Sequence, residues 1–208
     1  ATELPTFLIK WLPLRFIYDN NYFNDRYQGV PIGGFTQMFE KMLDGIEVKL
    51  NQDYFKDKNN YDSIAEKVVY TGCIDEFFDY KYGELGYRSL RFETGVLDME
   101  NYQGCAVINQ CDHTEEYTRT VEHKHFEKVK TDHTVITREY PIEYKRGMVP
   151  YYPINTKENS EMYDKYRKES KTLTNIIFGG RLAEYKYMDM HIVIESAMNK
   201  FRSAQWNR

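Results

Sequence analysis

Tyrosine recurs beside arginine, or beside a second tyrosine, at several points of this 208-residue chain: Tyr87-Arg88, Tyr117-Thr118-Arg119, Tyr151-Tyr152, and Arg181 ahead of Tyr185 and Tyr187. A guanidinium is a planar fork of donors that matches phosphate or carboxylate oxygens. A tyrosine adds a hydroxyl for a phosphate and a flat face for a ring. Several such pairs converging would make a site for an anionic sugar or a nucleotide. Any one of them is equally an ordinary cross-strand contact or a surface cation–π pair, and spacing does not establish convergence.

A second candidate is the stretch from Asn175 to Met190, where an apolar run ends at Gly179-Gly180 and is followed by Arg181 and two tyrosines. Asp189 then opens a helical pattern. Glycines admit close approach of a ligand, and a helix start offers unpaired N–H groups. The same residues also serve as a plain strand-to-helix connection. Other chemistry is poorly represented. Cys105, Cys111, His113, His123 and His125 cluster in sequence, but Cys111-Asp112-His113 and His123-Lys124-His125 do not match zinc spacings. On a strand the latter two histidines would share a face, without a cysteine or carboxylate placed to complete a tetrahedron. No G-x-S-x-G elbow is present, and Gly29, Gly33 and Gly34 do not form G-x-G-x-x-G.

The elements that must position these residues are only partly regular. Pro5 and Pro13 bracket a short apolar piece, and residues 15–23 resemble a strand entering an Asp/Asn turn. Phe35, Met38, Phe39, Met42 and Leu43 recur at helical spacing and predict an amphipathic helix with a core-facing stripe, closed by Gly45. Ile46, Val48 and Leu50 alternate as a strand would. Val68–Tyr70 and Ile176–Phe178 are short apolar runs of the kind found in buried α/β strands. Residues 87–93, 104–109, 117–122 and 134–140 predict strands of an antiparallel sheet. Residues 158–170 predict a charged helix, and Asp189 caps another that carries Ile192, Ile194, Ala197, Met198 and Phe201. An α/β sheet is thus present only in part, as in the second portion of a longer protein.

A net charge of −4 argues against a nucleic-acid partner. Aromatic residues reach 16%, with 19 tyrosines, most of which must simply fill half-buried strand positions. Three cysteines without a C-x-x-C fit a reducing compartment, and no apolar run approaches a membrane span, so a cytoplasmic location is expected.

The chain resembles the C-terminal part of the bacterial UDP-galactopyranose mutases. The resemblance is carried by Leu12-Pro13-Leu14-Arg15-Phe16, Tyr18-Asp19-Asn20-Asn21-Tyr22-Phe23, Gln28-Gly29-Val30-Pro31 and Tyr87-Arg88-Ser89-Leu90. It continues through Tyr102-Gln103-Gly104-Cys105-Ala106-Val107, Tyr117-Thr118-Arg119 with Glu122-His123-Lys124, and Pro150-Tyr151-Tyr152-Pro153-Ile154. It ends on Gly180-Arg181-Leu182 and Tyr185-Lys186-Tyr187-Met188-Asp189-Met190. Each motif alone is weak, but their order and spacing together are specific.

The resemblance implies an α+β fold: a six-stranded antiparallel sheet plus the C-terminal pieces of a Rossmann-like FAD-binding domain whose N-terminal part is missing. The expected divisions are a mobile flap at 1–14, a returning segment with a helix and a flavin-domain strand at 15–72, the sheet at 73–153, and the C-terminal flavin-domain part at 154–208. It implies interconversion of UDP-galactopyranose and UDP-galactofuranose on reduced FAD: the flavin N5 displaces UDP, and the adduct opens and recloses with the other ring size. Such a chain alone would be inactive, with the missing FAD-binding region as its necessary partner; a homodimer is compatible with it. By motif, Arg119, Tyr152 and Tyr187 resemble diphosphate ligands, with Arg88 a further anion contact. Asn109 and Arg181 would lie near the sugar, and Tyr22 and Phe23 near the uridine. Thr71, Gly72, Gly180, Asp189 and Met190 resemble residues against the flavin. One departure stands out: the family has a flap arginine just before the Leu-Pro, where this chain has Trp11, with Lys10 ahead of it. Lysine supplies charge without the fork. That substitution leaves open a mutase acting on another UDP-sugar, and a noncatalytic sugar-nucleotide-binding module is the remaining alternative.

Overall fold

The computed structural model describes residues 16–18, 24–110, 112 and 114–204. The expected flap at 1–14, with Lys10 and Trp11, lies outside them, as do Tyr22 and Phe23 and most of the strand expected at 15–23. The chain divides into two units, Ala1–Glu47 and Val48–Arg208.

In the first unit, Gly33 (φ 81°) leads into helix α1, Gly34–Met42. The expected helix is there, but its apolar stripe is not core: Phe35, Phe39, Met42 and Leu43 are all exposed. α1 is the only helix or strand among the described residues of this unit. Ile46, Val48 and Leu50 are exposed and form no strand. Alternation needs a neighbour with which to pair, and none lies alongside among the described residues.

The second unit begins with a 3-10 turn, Tyr54–Lys56, and helix α2, Lys58–Ile64. Strand β1, Val68–Tyr70, then leads through Thr71-Gly72 to the short helix α3, Ile74–Phe77. The antiparallel sheet follows: β2 Tyr87–Leu97, β3 Val107–Asn109, β4 Arg119–Glu122 and β5 Thr134–Glu143, with helical turn α4, Lys124–Glu127, after β4. β6, Tyr152–Pro153, adds a short edge, and helix α5, Lys157–Ser170, leads to β7, Ile176–Phe178. Helices α6, Gly180–Ala183, and α7, Met190–Ser203, complete the described chain.

The sheet has the order β3-β4-β5-β2-β6, five strands among the described residues where six were expected. Its spine is the long ladder from Arg88↔Glu143 to Leu97↔Thr134. β3 starts at Val107 rather than Gly104 because Gly104 is left-handed (φ 77°) and its N–H donates to Asn101 Oδ1 (2.8 Å), so the chain is still turning there. Glu122, fully buried, accepts the backbone N–H groups of Tyr102 (3.0 Å) and Gln103 (2.8 Å) and the Thr134 hydroxyl (2.7 Å). Together these bonds hold the turn that precedes β3. The expected shared face of His123 and His125 is also absent, because α4 interrupts the strand. His123 Nε2 lies 2.7 Å from the Thr137 hydroxyl, and His125 Nε2 lies 3.1 Å from Glu122 Oε2.

β1 and β7 form a separate parallel pair, Val68↔Ile176 through Tyr70↔Phe178. Tyr70, Phe77 and Phe178 pack against it with ring centroids 4.8–5.9 Å apart. The main core gathers Cys73, Ile74, Leu85, Tyr87, Tyr166 and Tyr185. Its tyrosine hydroxyls are all matched. Tyr87 donates to Asp75 Oδ1 (3.1 Å), and Tyr166 donates to the Gly83 carbonyl (2.7 Å). Such pairing is what makes phenols tolerable in a core. Among the described residues no helix is long and apolar enough to cross a membrane.

Candidate functional site

Strand register assembles the first half of the site. Asn109 on β3 pairs with Arg119 on β4, Arg119 with Glu139 on β5, and Glu139 with Phe92 on β2. Directly opposed residues share a face, and so do residues two apart on one strand. Arg88, four residues before Phe92, is therefore on that face, and so is Tyr152, its partner on β6. Asn109, Arg119, Glu139, Arg88 and Tyr152 thus line one surface of the sheet.

Contacts within the set follow. Arg119 donates from Nε to Asn109 Oδ1 (3.0 Å), and its Nη1 lies 3.5 Å from Glu139 Oε2. Burial pushes the Tyr152 phenol up; Glu139 adds to that, while Arg119 and Arg88 oppose it. Tyr152 therefore lies in the field of two cations and a carboxylate.

The loop after β7 supplies the other half. Gly180 has φ +81°, a left-handed conformation that a side chain adopts only under strain, and it turns the chain straight into α6. α6 packs beside β6, which brings the loop to the sheet edge. Tyr185, also left-handed (φ 47°), is buried, with its hydroxyl 2.5 Å from the Gly86 carbonyl and 2.9 Å from that of Ile154. It is an anchor, unlike its exposed neighbour two residues on. The Tyr187 ring meets the Tyr152 ring at 6.1 Å, edge to face, and the Arg181 guanidinium lies 4.5 Å from the Tyr187 centroid. Arg181 Nε is buried and has no hydrogen-bond partner among the described residues.

Thr71-Gly72 and Gly179-Gly180 sit at the carboxyl ends of adjacent parallel strands, where open α/β sheets generally hold ligands. A Cβ built on Gly180 would stand 3.6 Å from Thr71 Cβ, so two of the residues expected against a flavin are neighbours. Asp189 precedes α7 in extended conformation without a side-chain cap bond, and Met190 is the first helical residue. A cavity of about 440 Å³, lined in part by Arg167, Lys171, Glu184 and Lys200, shares none of its lining residues with this cluster.

The structure therefore brings together Asn109, Arg119, Tyr152, Arg181, Tyr187 and Arg88, and separately Thr71 with Gly180. Lys10, Tyr22 and Phe23 lie outside the described residues. Glu139 was missed because Arg138, Glu139 and Tyr140 look like any alternating strand; only pairing with Arg119 singles it out.

A model of the family described as UDP-galactopyranose mutase matches residues 1–187. The chain is 37% identical over 207 residues to dTDP-fucopyranose mutase of Escherichia coli, covering 94% of this chain and 54% of that protein. It is 38% identical over 201 residues to a probable UDP-galactopyranose mutase of Klebsiella pneumoniae, covering 95% and 51%. It is 36% identical over 188 residues to UDP-galactopyranose mutase of Mycoplasma pneumoniae, covering 83% and 47%. The chain spans about half the length of the curated relatives it matches. With a family match that takes in the sheet face and runs through the loop to Tyr187, the chain belongs to the UDP-galactopyranose mutase family.

Proposed function

We propose that the complete protein interconverts the pyranose and furanose forms of UDP-galactose, and that this chain supplies the diphosphate-binding face and one wall of the flavin site. Sheet register carries this reading, because it sets Arg119, Arg88 and Tyr152 on one surface with Tyr187 and Arg181 closing in from the loop. Arg119 and Tyr152 would hold the diphosphate through charge-assisted bonds. Tyr187 would add a hydroxyl, and Asn109 and Arg181 would face the sugar. Arg181 Nε, without a partner among the described residues, is a donor that a sugar or phosphate oxygen would satisfy.

The residues present fit one side of a flavin. The glycine at 180 keeps side-chain bulk away from the strand ends, and the start of α7 offers N–H groups at Asp189 and Met190. Reduced FAD, when bound, would supply the nucleophile that holds the sugar while its ring opens and recloses. This chain's residues would keep UDP in place between its departure and its return.

The chain alone is expected to be inactive, needing the FAD-binding region for chemistry. Supplying it with UDP-galactofuranose and dithionite-reduced FAD should give no UDP-galactopyranose; measurable turnover would refute that. Calorimetry with UDP tests the binding face directly, and loss of binding in Arg119→Ala is the expected result. A second reading is a mutase for a different nucleotide sugar, favoured by the name of the Escherichia coli relative and by Trp11. Competition between UDP and dTDP for the site decides between them.

A further inference from the structure

Glu139 is out of place in a surface built for a diphosphate. Arg119, Arg88, Tyr152 and Asn109 on that face are donors or cations, whereas a carboxylate repels phosphate; a second carboxylate on the face, Glu143, is paired with Arg88 but is exposed. Glu139 is not a loosely solvated surface acid, since its side chain is only 17% exposed. It stands between Arg119 and Phe92 in a single row of the sheet, directly opposed to the arginine. Its backbone carbonyl accepts the Thr118 N–H (2.9 Å), which fixes the strand on which Arg119 begins. With Oε2 3.5 Å from Arg119 Nη1, the pair is close enough for strong attraction, yet looser than a bidentate fork.

We propose that Glu139 is a resident counter-ion for Arg119, against which an incoming nucleotide diphosphate must compete. This rests on the reading of Arg119 as a diphosphate ligand. Glu139 and Asn109 keep the arginine aligned and compensated. A bound diphosphate then shares Arg119 with a carboxylate, and the shared cation holds it less tightly than a free one would. Glu139 is in this sense a positioning residue that acts through Arg119. It sets affinity low enough for a nucleotide sugar to leave after each turnover, in keeping with the rule that ground-state binding beyond need adds nothing to rate.

The sign of the effect separates this from a structural role. In Glu139→Gln the side chain keeps its size and an acceptor oxygen beside the guanidinium, but the charge is gone. Binding of UDP to the chain should tighten by about fivefold, the size expected for removing one partly exposed charge from beside an arginine. Glu139→Asp, which keeps the charge, should stay near the parent. Uridine, which lacks the diphosphate, should bind all three alike. Affinity for UDP that is unchanged or weaker in a folded Glu139→Gln chain overturns the proposal. Arg119→Ala separates the two levels of the argument. If it abolishes UDP binding while Glu139→Gln has no effect, only the counter-ion role falls. If UDP binds neither the parent nor any variant, the reading of the face and the counter-ion role fall together.

Discussion

Arg119 touches two neighbours that a diphosphate would have to join or displace, Asn109 and Glu139. Replacing it with alanine removes the fork, and a loss of about tenfold or more in UDP affinity is expected, with a smaller loss in Arg119→Lys. Isothermal calorimetry at fixed salt measures both. At Trp11, restoring the family's arginine should lower KM for the UDP-sugar in the complete enzyme; an unchanged or higher KM would mean that Lys10 already suffices or that the substrate differs. Gly180→Ala meets no clash, since its Cβ would stand at ordinary contact distance from Thr71, but the left-handed backbone should cost about 1–2 kcal/mol, read from a denaturant midpoint. The motifs made Arg119, Tyr152, Arg181 and Tyr187 legible as types. The opposite fates of Tyr185 and Tyr187 were not, because two tyrosines two residues apart carry the same chemistry until a left-handed turn sends one inward.

Glu122 shows how many groups a single buried side chain can hold. Burial alone would push its carboxyl up, yet N–H donors from Tyr102 and Gln103 and the Thr134 hydroxyl outweigh it and bring the value to about 2. The folded-state value therefore lies below the unfolded one. The stabilisation is present above the ordinary carboxylate range and is lost as pH falls from there toward 2. Thermal melts of the parent should drop over that window, and those of Glu122→Gln much less. At neutral pH the Gln variant should be about 1–3 kcal/mol less stable, because its amide cannot accept all of those donors. Strand existence was legible from alternation, as in β2 and β5. The start of β3 was not, because a left-handed Gly104 held by Asn101 looks like any strand glycine in the sequence, and neither was the exposure of the α1 stripe, since periodicity shows only that a face is apolar, not what covers it. Ladder length also predicts order: amides linking β1 to β7, three residues each, should exchange with deuterium faster than those of the β2–β5 ladder.

At the scale of the whole molecule, the tyrosine-lined core has a consequence at high pH. Burial pushes the phenols of Tyr80, Tyr144 and Tyr163 up to about 12, and those of Tyr70, Tyr87 and Tyr185 are raised further by burial and nearby acids. Each folded value exceeds the unfolded one near 10, so the stability they contribute is complete below pH 10 and drains away as pH rises through the folded values. The deeply buried phenols of Tyr87 and Tyr185 ionise with the opening of the core, whereas surface phenols need no such event. Tyrosinate absorbance should consequently appear in two stages, the later one coinciding with loss of circular dichroism. A single smooth rise uncoupled from unfolding would contradict this. Base becomes a cooperative denaturant for the second unit, because the residues that build its interior are also its most numerous latent acids.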